Sequence, residues 1–157
     1  MAKPSPAAER PIADNRKAGF DFHLLESFEA GIALRGSEVK AIREGRINLR
    51  ESYCRFEGDE LYLVGAHVSQ YSHDGHAGHD PTRPRKLLLH RHELNKLLGK
   101  TVAKGLTVVP LRVYLKDGRV KVAIALARGK KSFDKRETIR RREIDRETRA
   151  AVKGRRV

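Results

Sequence analysis

The chain alternates apolar and polar residues through most of its length, the pattern of strands with one face in a core. Residues 20–28 read as a strand, with Phe20, Phe22 and Leu24 on one side. Gly31 interrupts it, which predicts a bulge or a close backbone approach, and Ile32-Ala33-Leu34 resumes it. Ser37 is placed as an N-cap, Val39 and Ile42 share a helical face, and Gly45 stands just past its end, so residues 38–44 are predicted helical. Residues 53–56 and 60–68 read as strands joined by a three-residue hairpin loop, Glu57-Gly58-Asp59. Residues 70–85 contain Gly75, Gly78, Pro81 and Pro84 and are expected to be a long loop.

Beyond that loop come a short strand at 86–89 and a helix at 92–98, with Leu94, Leu97 and Leu98 inward and Gly99 at its end. A short strand is expected at 101–103 and a longer one at 106–115. In the longer strand Pro110 lacks a donor and demands an edge or a bulge. Asp117-Gly118 is a strong hairpin signal. The last strand, 119–127, puts Val120, Val122, Ile124 and Leu126 on a core face and Lys121, Ala123, Ala125 and Ala127 on the other. That second face either lets another backbone come close or is simply an exposed face filled with methyl groups.

Short strands with end-capping helices, and no dozen-residue helix between successive strands, predict a mostly β fold with short helices, best fitted by an antiparallel β-barrel. Residues 14–127 would form this body. Residues 1–13, rich in Pro and Ala, are expected to be disordered, and residues 128–157 form a basic tail.

Charge then narrows the partners. The 157 residues carry a net charge of +14, and the sequence pI is about 10.3. Residues 128–157 supply +8 of this in 30 positions. Such a field attracts polyanions, nucleic acid first and an anionic membrane surface second. Cys54 is the single cysteine, so no intramolecular disulfide forms, which fits a reducing cytoplasm. No apolar run is long enough for a membrane span, and no apolar leader segment opens the chain.

The tail begins with Arg128-Gly129-Lys130-Lys131-Ser132-Phe133-Asp134-Lys135-Arg136, four cations after the glycine with one ring among them. Cations pair with phosphates and the Phe133 ring can stack on a base, a combination suited to irregular RNA. Its bland reading is a solvated hinge. Asp134 and Glu137 stand at capping-box spacing, and Glu137 with Arg141 and Asp145 with Arg149 can pair one helical turn apart. Apolar residues are too few for a packing stripe, so the tail is expected to be disordered when free and helical once phosphates neutralise it.

Six stretches in register resemble the SsrA-binding protein family, small protein B. They are Asn15-Arg16-Lys17-Ala18, Phe28-Glu29-Ala30-Gly31, Glu38-Val39-Lys40, Asp80-Pro81-Thr82-Arg83-Pro84-Arg85-Lys86-Leu87-Leu88-Leu89, Gly129-Lys130-Lys131 and Asp134-Lys135-Arg136. The resemblance implies an oligonucleotide-binding-type β-barrel that holds the tRNA-like part of transfer-messenger RNA and delivers it to stalled ribosomes for trans-translation. It implies barrel residues Asn15, Arg16, Glu29, Arg83, Lys86, Leu88 and Lys121 facing that RNA. It places Gly129, Lys130, Lys131, Phe133, Asp134, Lys135 and Arg136 of the tail in the decoding centre, against small-subunit ribosomal RNA. It further implies a bacterial, cytoplasmic monomer that shares its delivery complex with elongation factor Tu, uses no cofactor and catalyses nothing.

The residues themselves select Lys121 and the Lys130-to-Arg136 cluster; Glu29 and Leu88 enter through the resemblance alone. The rival within RNA binding is a ribosomal protein or assembly factor. His73, His76 and His79 with Asp74 and Asp80 have the chemistry of zinc ligands, but they lie in a Gly-rich loop with no cysteine pair, so no metal is expected there. No nucleophile elbow supports a hydrolase.

Overall fold

In the computed structural model, which describes residues 9–70, 80–130, 136, 139–144, 146 and 147, the chain runs β1 (Glu9–Asp14), α1 (Arg16–Asp21), β2 (Phe22–Ile32), α2 (Gly36–Arg43), β3 (Ile47–Asn48), β4 (Tyr53–Glu57), β5 (Glu60–Val64), β6 (His67–Val68), β7 (Arg85–Leu88), α3 (Arg91–Lys104), β8 (Thr107–Lys116) and β9 (Arg119–Gly129). Seven strands pair antiparallel in the order β1-β8-β4-β5-β7-β2-β9, and β8 pairs with β9 as well. The pairings therefore return to β8. A separate two-stranded ribbon joins β3 to β6. Ile42 of α2, Leu97 of α3 and Leu61, Leu63, Leu87, Val122, Ile124 and Leu126 of the sheet meet in one core.

Local chemistry explains the turns. Asp117 and Gly118 lie at φ of 51° and 77°, so both central residues of the β8–β9 hairpin adopt the left-handed geometry that matches strand twist. The register of β8 against β9 shifts between Pro110 and Arg112, the bulge that proline demands. The β4–β5 hairpin pairs Glu57 with Glu60, leaving two turn residues, Gly58 and Asp59, where three were expected. The expected strand over 60–68 breaks at Gly65, which sits at φ 83° between β5 and β6.

The structure corrects four further expectations. Residues 9–14 are not outside the body: β1 pairs with β8, and Ile12 and Ala13 pack on the core. The strand expected from Phe20 starts at Phe22; residues 16–21 form a helix instead, with Ala18 seated against Ala127 and Val109 in a small second cluster. α3 passes through Gly99 and absorbs the expected strand at 101–103; Leu94 and Leu97 anchor it, and Gly105 at φ 62° is its C-cap. The expected N-cap at Ser37 lies within α2, which is capped from Arg35.

The small face of β9 divides. Ala125 and Ala127 are buried, with α1 resting on Ala127, whereas Lys121 and Ala123 stay partly open. Close backbone approach is thus used by the chain's own helix.

Candidate nucleic-acid interface

Gly31 is the centre of one patch. In β2 it pairs with Leu88 of β7 on one side and Lys121 of β9 on the other. A Cβ at Gly31 would lie 3.4 Å from the Leu88 Cβ, in ordinary contact, and Leu88 itself stands outward, half-exposed. Glu29, two residues earlier, points to the same face. The patch borders a groove of about 360 Å³ whose floor includes Ile32, Leu34, Val39 and Val120 and whose rim carries Arg119 and Lys121. Apolar floor for a sugar or base, with cations for phosphate, is the chemistry of an RNA-binding surface.

Glu29 is held ionised. The Tyr114 hydroxyl donates to its Oε2, and Lys116 Nζ lies 3.3 Å from the same oxygen. The tyrosine bond, with help from Lys116, pulls its pKa below the ordinary carboxylate value against the opposing effect of burial. Burial and that same carboxylate push the Tyr114 phenol up. The Arg112 guanidinium lies 4.8 Å from the Tyr114 ring centroid. An ionised Glu29 carries acceptor oxygens of the kind to which an amine or a hydroxyl donates.

Asn15 lies elsewhere, beside the β8 bulge. Its backbone N–H donates to Leu111 O at 2.8 Å and its Nδ2 to Pro110 O at 2.9 Å. The amide therefore fastens α1 to β8 and leaves Arg16 and Lys17 exposed, beside a cleft that Asn48 and Arg50 complete.

The two remaining expected barrel residues part company. Lys86 shares the Leu88 face two residues away, with its ammonium 3.6 Å from Glu60 in a half-exposed pair of little strength. Arg83 is committed inward: its Nη2 donates to Glu38 Oε1 at 2.5 Å. Arg85 completes that arrangement, Nε to Glu38 Oε2 at 2.5 Å, with its other nitrogens on the carbonyls of Ala66, Asp80 and Pro81. Both Glu38 and Arg85 are fully buried. Burial alone would raise the Glu38 pKa; bonds from Arg83, the Arg35 amide and Arg85 outweigh it and hold it at about 2. Sequence reasoning missed this network.

Of the tail, Gly129 pairs with Phe22 as the last rung of β9. Lys130 donates from its backbone N–H to Asp21 O at 2.8 Å and from Nζ to Gly19 O at 3.1 Å. Lys131, Phe133, Asp134 and Lys135 lie outside the described residues, as do the paired positions Glu137 and Asp145. Arg136, residues 139–144, and residues 146 and 147 are helical and exposed. His73, His76 and His79 also lie outside the described residues. Among those described, no three His, Cys, Asp or Glu side chains converge on a metal position, and no helix is long and apolar enough to cross a membrane.

Comparison with known proteins bears on this surface. Residues 12–154 match the family described as SmpB protein. The SsrA-binding protein of Trichodesmium erythraeum is 51% identical over 154 residues, covering 98% of this chain and 99% of the relative. That of Syntrophobacter fumaroxidans is 53% identical over 146 residues, covering 92% of this chain and 91% of the relative. A solved chain from work described as "tmRNA-SmpB: a journey to the center of the bacterial ribosome" superposes with a TM-score of 0.66 at 49% identity, covering 83% of this chain and 96% of that one.

Proposed function

This chain belongs to the SmpB protein family, and on that premise we propose that it binds transfer-messenger RNA and acts with it on the ribosome in trans-translation. The body is an oligonucleotide-binding-type barrel, a reading supported by pairings that return from β9 to β8. It grips the tRNA-like part of the RNA. The observation that carries this is the convergence of Glu29, Leu88 and Lys121 around Gly31, three residues distant in sequence and joined only by strand register. Lys86 extends the same face, while Asn15 positions Arg16 at a second contact. Arg83 acts through Glu38, as a support for the patch and not as an RNA ligand.

The tail, from Gly129 through Arg136, enters the decoding centre against small-subunit ribosomal RNA and takes helical form beyond it. The protein is a monomer of the bacterial cytoplasm, joins elongation factor Tu in the delivery complex and contributes binding, with no catalysis of its own. Family membership favours this over a ribosomal protein or assembly factor.

Two measurements test the division of labour. Lys121→Ala and Leu88→Asp should each weaken binding of transfer-messenger RNA to the purified protein. Truncation after Lys130 should leave most of that binding and abolish tagging on stalled ribosomes. Equal loss in both assays for both kinds of variant would overturn the assignment, as would equal affinity for random RNA of the same length.

A further inference from the structure

The groove beside the Gly31 patch is bounded by α2, through Val39, and by the β8–β9 hairpin, through Gly118, Arg119 and Lys121. Arg43 joins these two boundaries. It stands one helical turn after Val39 on α2. Its Nη2 donates to Gly118 O at 3.0 Å, across 75 residues of chain. That bond holds the guanidinium at the hairpin tip and uses one of its five N–H donors. Arg10 of β1 stands behind it, its Nη2 3.4 Å from Arg43 O. Arg10, Arg43 and Arg119 are all exposed. Many cations of the body face acids, as Arg55 faces Glu57 and Lys96 faces Glu26, both at 2.6 Å. Glu44, the residue after Arg43, is paired with Arg46 at 3.6 Å. Among the described residues no carboxylate pairs with Arg10, Arg43 or Arg119.

We propose that Arg43, Arg119 and Arg10 form a phosphate-binding rim that extends the Gly31 patch, so that the RNA entering the groove lays its phosphodiester backbone across these three arginines. The inference rests on the RNA-binding reading of the patch and adds to it residues from β1 and α2. A guanidinium already held by one hydrogen bond loses less freedom when it binds a phosphate. Its remaining planar donors suit two parallel bonds to phosphate oxygens. A cation such as Lys86 must first give up Glu60, whereas the rim arginines have no carboxylate to give up. Arg43 also has a plainer use. It lies in the last turn of α2, where a cation complements the helix dipole, and its bond to Gly118 ties helix to hairpin. That use accounts for Arg43 alone and gives no part to Arg119 or Arg10.

The test measures the affinity of the full-length protein for transfer-messenger RNA over a series of salt concentrations. Each phosphate contact removed flattens the plot of log K against log salt by about 0.7–0.9 in slope. Arg43→Met, Arg119→Met and Arg10→Met should each flatten it by about one such step. Arg55→Met is the control: it removes the same charge from an arginine already paired with Glu57, and should leave the slope unchanged. Thermal unfolding of each variant separates a lost contact from a loosened fold. Arg119 has no side-chain partner among the described residues, so Arg119→Met decides the matter even if Arg43→Met frees α2 from the hairpin. An unchanged slope in both Arg43→Met and Arg119→Met overturns the rim and leaves the proposed RNA function standing. So does an equal flattening in Arg55→Met, which would mark a response to net charge alone. Flattened slopes in a protein that binds random RNA of the same length equally well keep the rim and overturn the preference for transfer-messenger RNA.

Discussion

The Tyr114 hydroxyl donates a hydrogen bond to the Glu29 carboxylate across the width of a strand. Tyr114 belongs to β8 and Glu29 to β2, with β9 between them. At that point β9 presents Lys121 opposite Tyr114 and the small Ala123 opposite Glu29. The low relief of Ala123 lets the two side chains meet over it, which gives part of the methyl face of β9 a use beyond seating α1.

This bond sets a pH dependence. It is the largest cause of the lowered Glu29 pKa. In Tyr114→Phe the carboxyl should move back up toward its ordinary value. If the ionised form accepts hydrogen bonds from RNA, the variant loses those bonds at a higher pH than the wild type as acidity rises. Binding isotherms taken between neutrality and about pH 4 should show the acidic limb displaced upward. Superimposable profiles would mean Glu29 does not contact the RNA in its charged state.

Glu38 governs acid stability. Its folded pKa of about 2 lies below the ordinary 4.5. A depressed carboxyl contributes stability above its unfolded pKa and loses it as the pH falls through the folded one. Urea midpoints should therefore drop as the pH falls from the ordinary value toward about 2, and this slope should flatten in Glu38→Gln. At neutral pH that substitution leaves Arg85 buried without its counter-charge, at a cost of about 3–5 kcal/mol. A loss below about 1 kcal/mol, typical of surface pairs, would show that the network is not closed to water.

How much of this was legible beforehand depends on the range over which each residue finds its partner. Asp117-Gly118, the Pro110 bulge and the core face of β9 are short-range signals, and the fold carries all of them. Gly99 has the look of a stop signal, yet α3 runs through it to Lys104. In the fold its penalty of about 1 kcal/mol is offset by Leu94 and Leu97 behind it, while Gly105 supplies the left-handed cap. α1 has six residues, too few for a helical period to show, and its Phe20 stands in alternation with Phe22 and Leu24 of the strand that follows. The two arginine side chains that neutralise Glu38 lie 45 and 47 residues away, so the sequence around it does not mark a buried acid. Glu29 and Leu88 carried no signal of their own; register through Gly31 makes them neighbours of Lys121.

Gly31 is the point where the patch is most sensitive to a side chain. Its φ is not in the left-handed region, so a substitution there meets neighbours and not backbone strain. Gly31→Ala brings its methyl to ordinary contact with Leu88 and should bind RNA with modest loss. Gly31→Val adds two methyl groups on the patch face beside Leu88, and should weaken RNA binding clearly more than Gly31→Ala while thermal unfolding moves little. Matching losses for the two, or a collapse in stability for Gly31→Val, would show that the face needs no close approach.

Ala127 tests the opposite end of the same strand. It is fully buried against Ala18 and Val109, with Phe22 and Leu111 at the border of the cluster. Ala127 has no exposed surface, so the three added carbons of Ala127→Leu press on Ala18 and Val109 and α1 must shift or lift. Overpacking of this kind costs about 1–3 kcal/mol, read as a lowered unfolding midpoint. Because Glu29, Leu88 and Lys121 lie farther along the sheet, the isolated RNA should still bind. Lifting α1 displaces the Gly19 and Asp21 carbonyls that receive Lys130, so activity on stalled ribosomes should fall by more than RNA affinity does. Should Ala127→Leu lower both in proportion, the helix and the patch form a single unit, and the separation of RNA grip from tail placement fails.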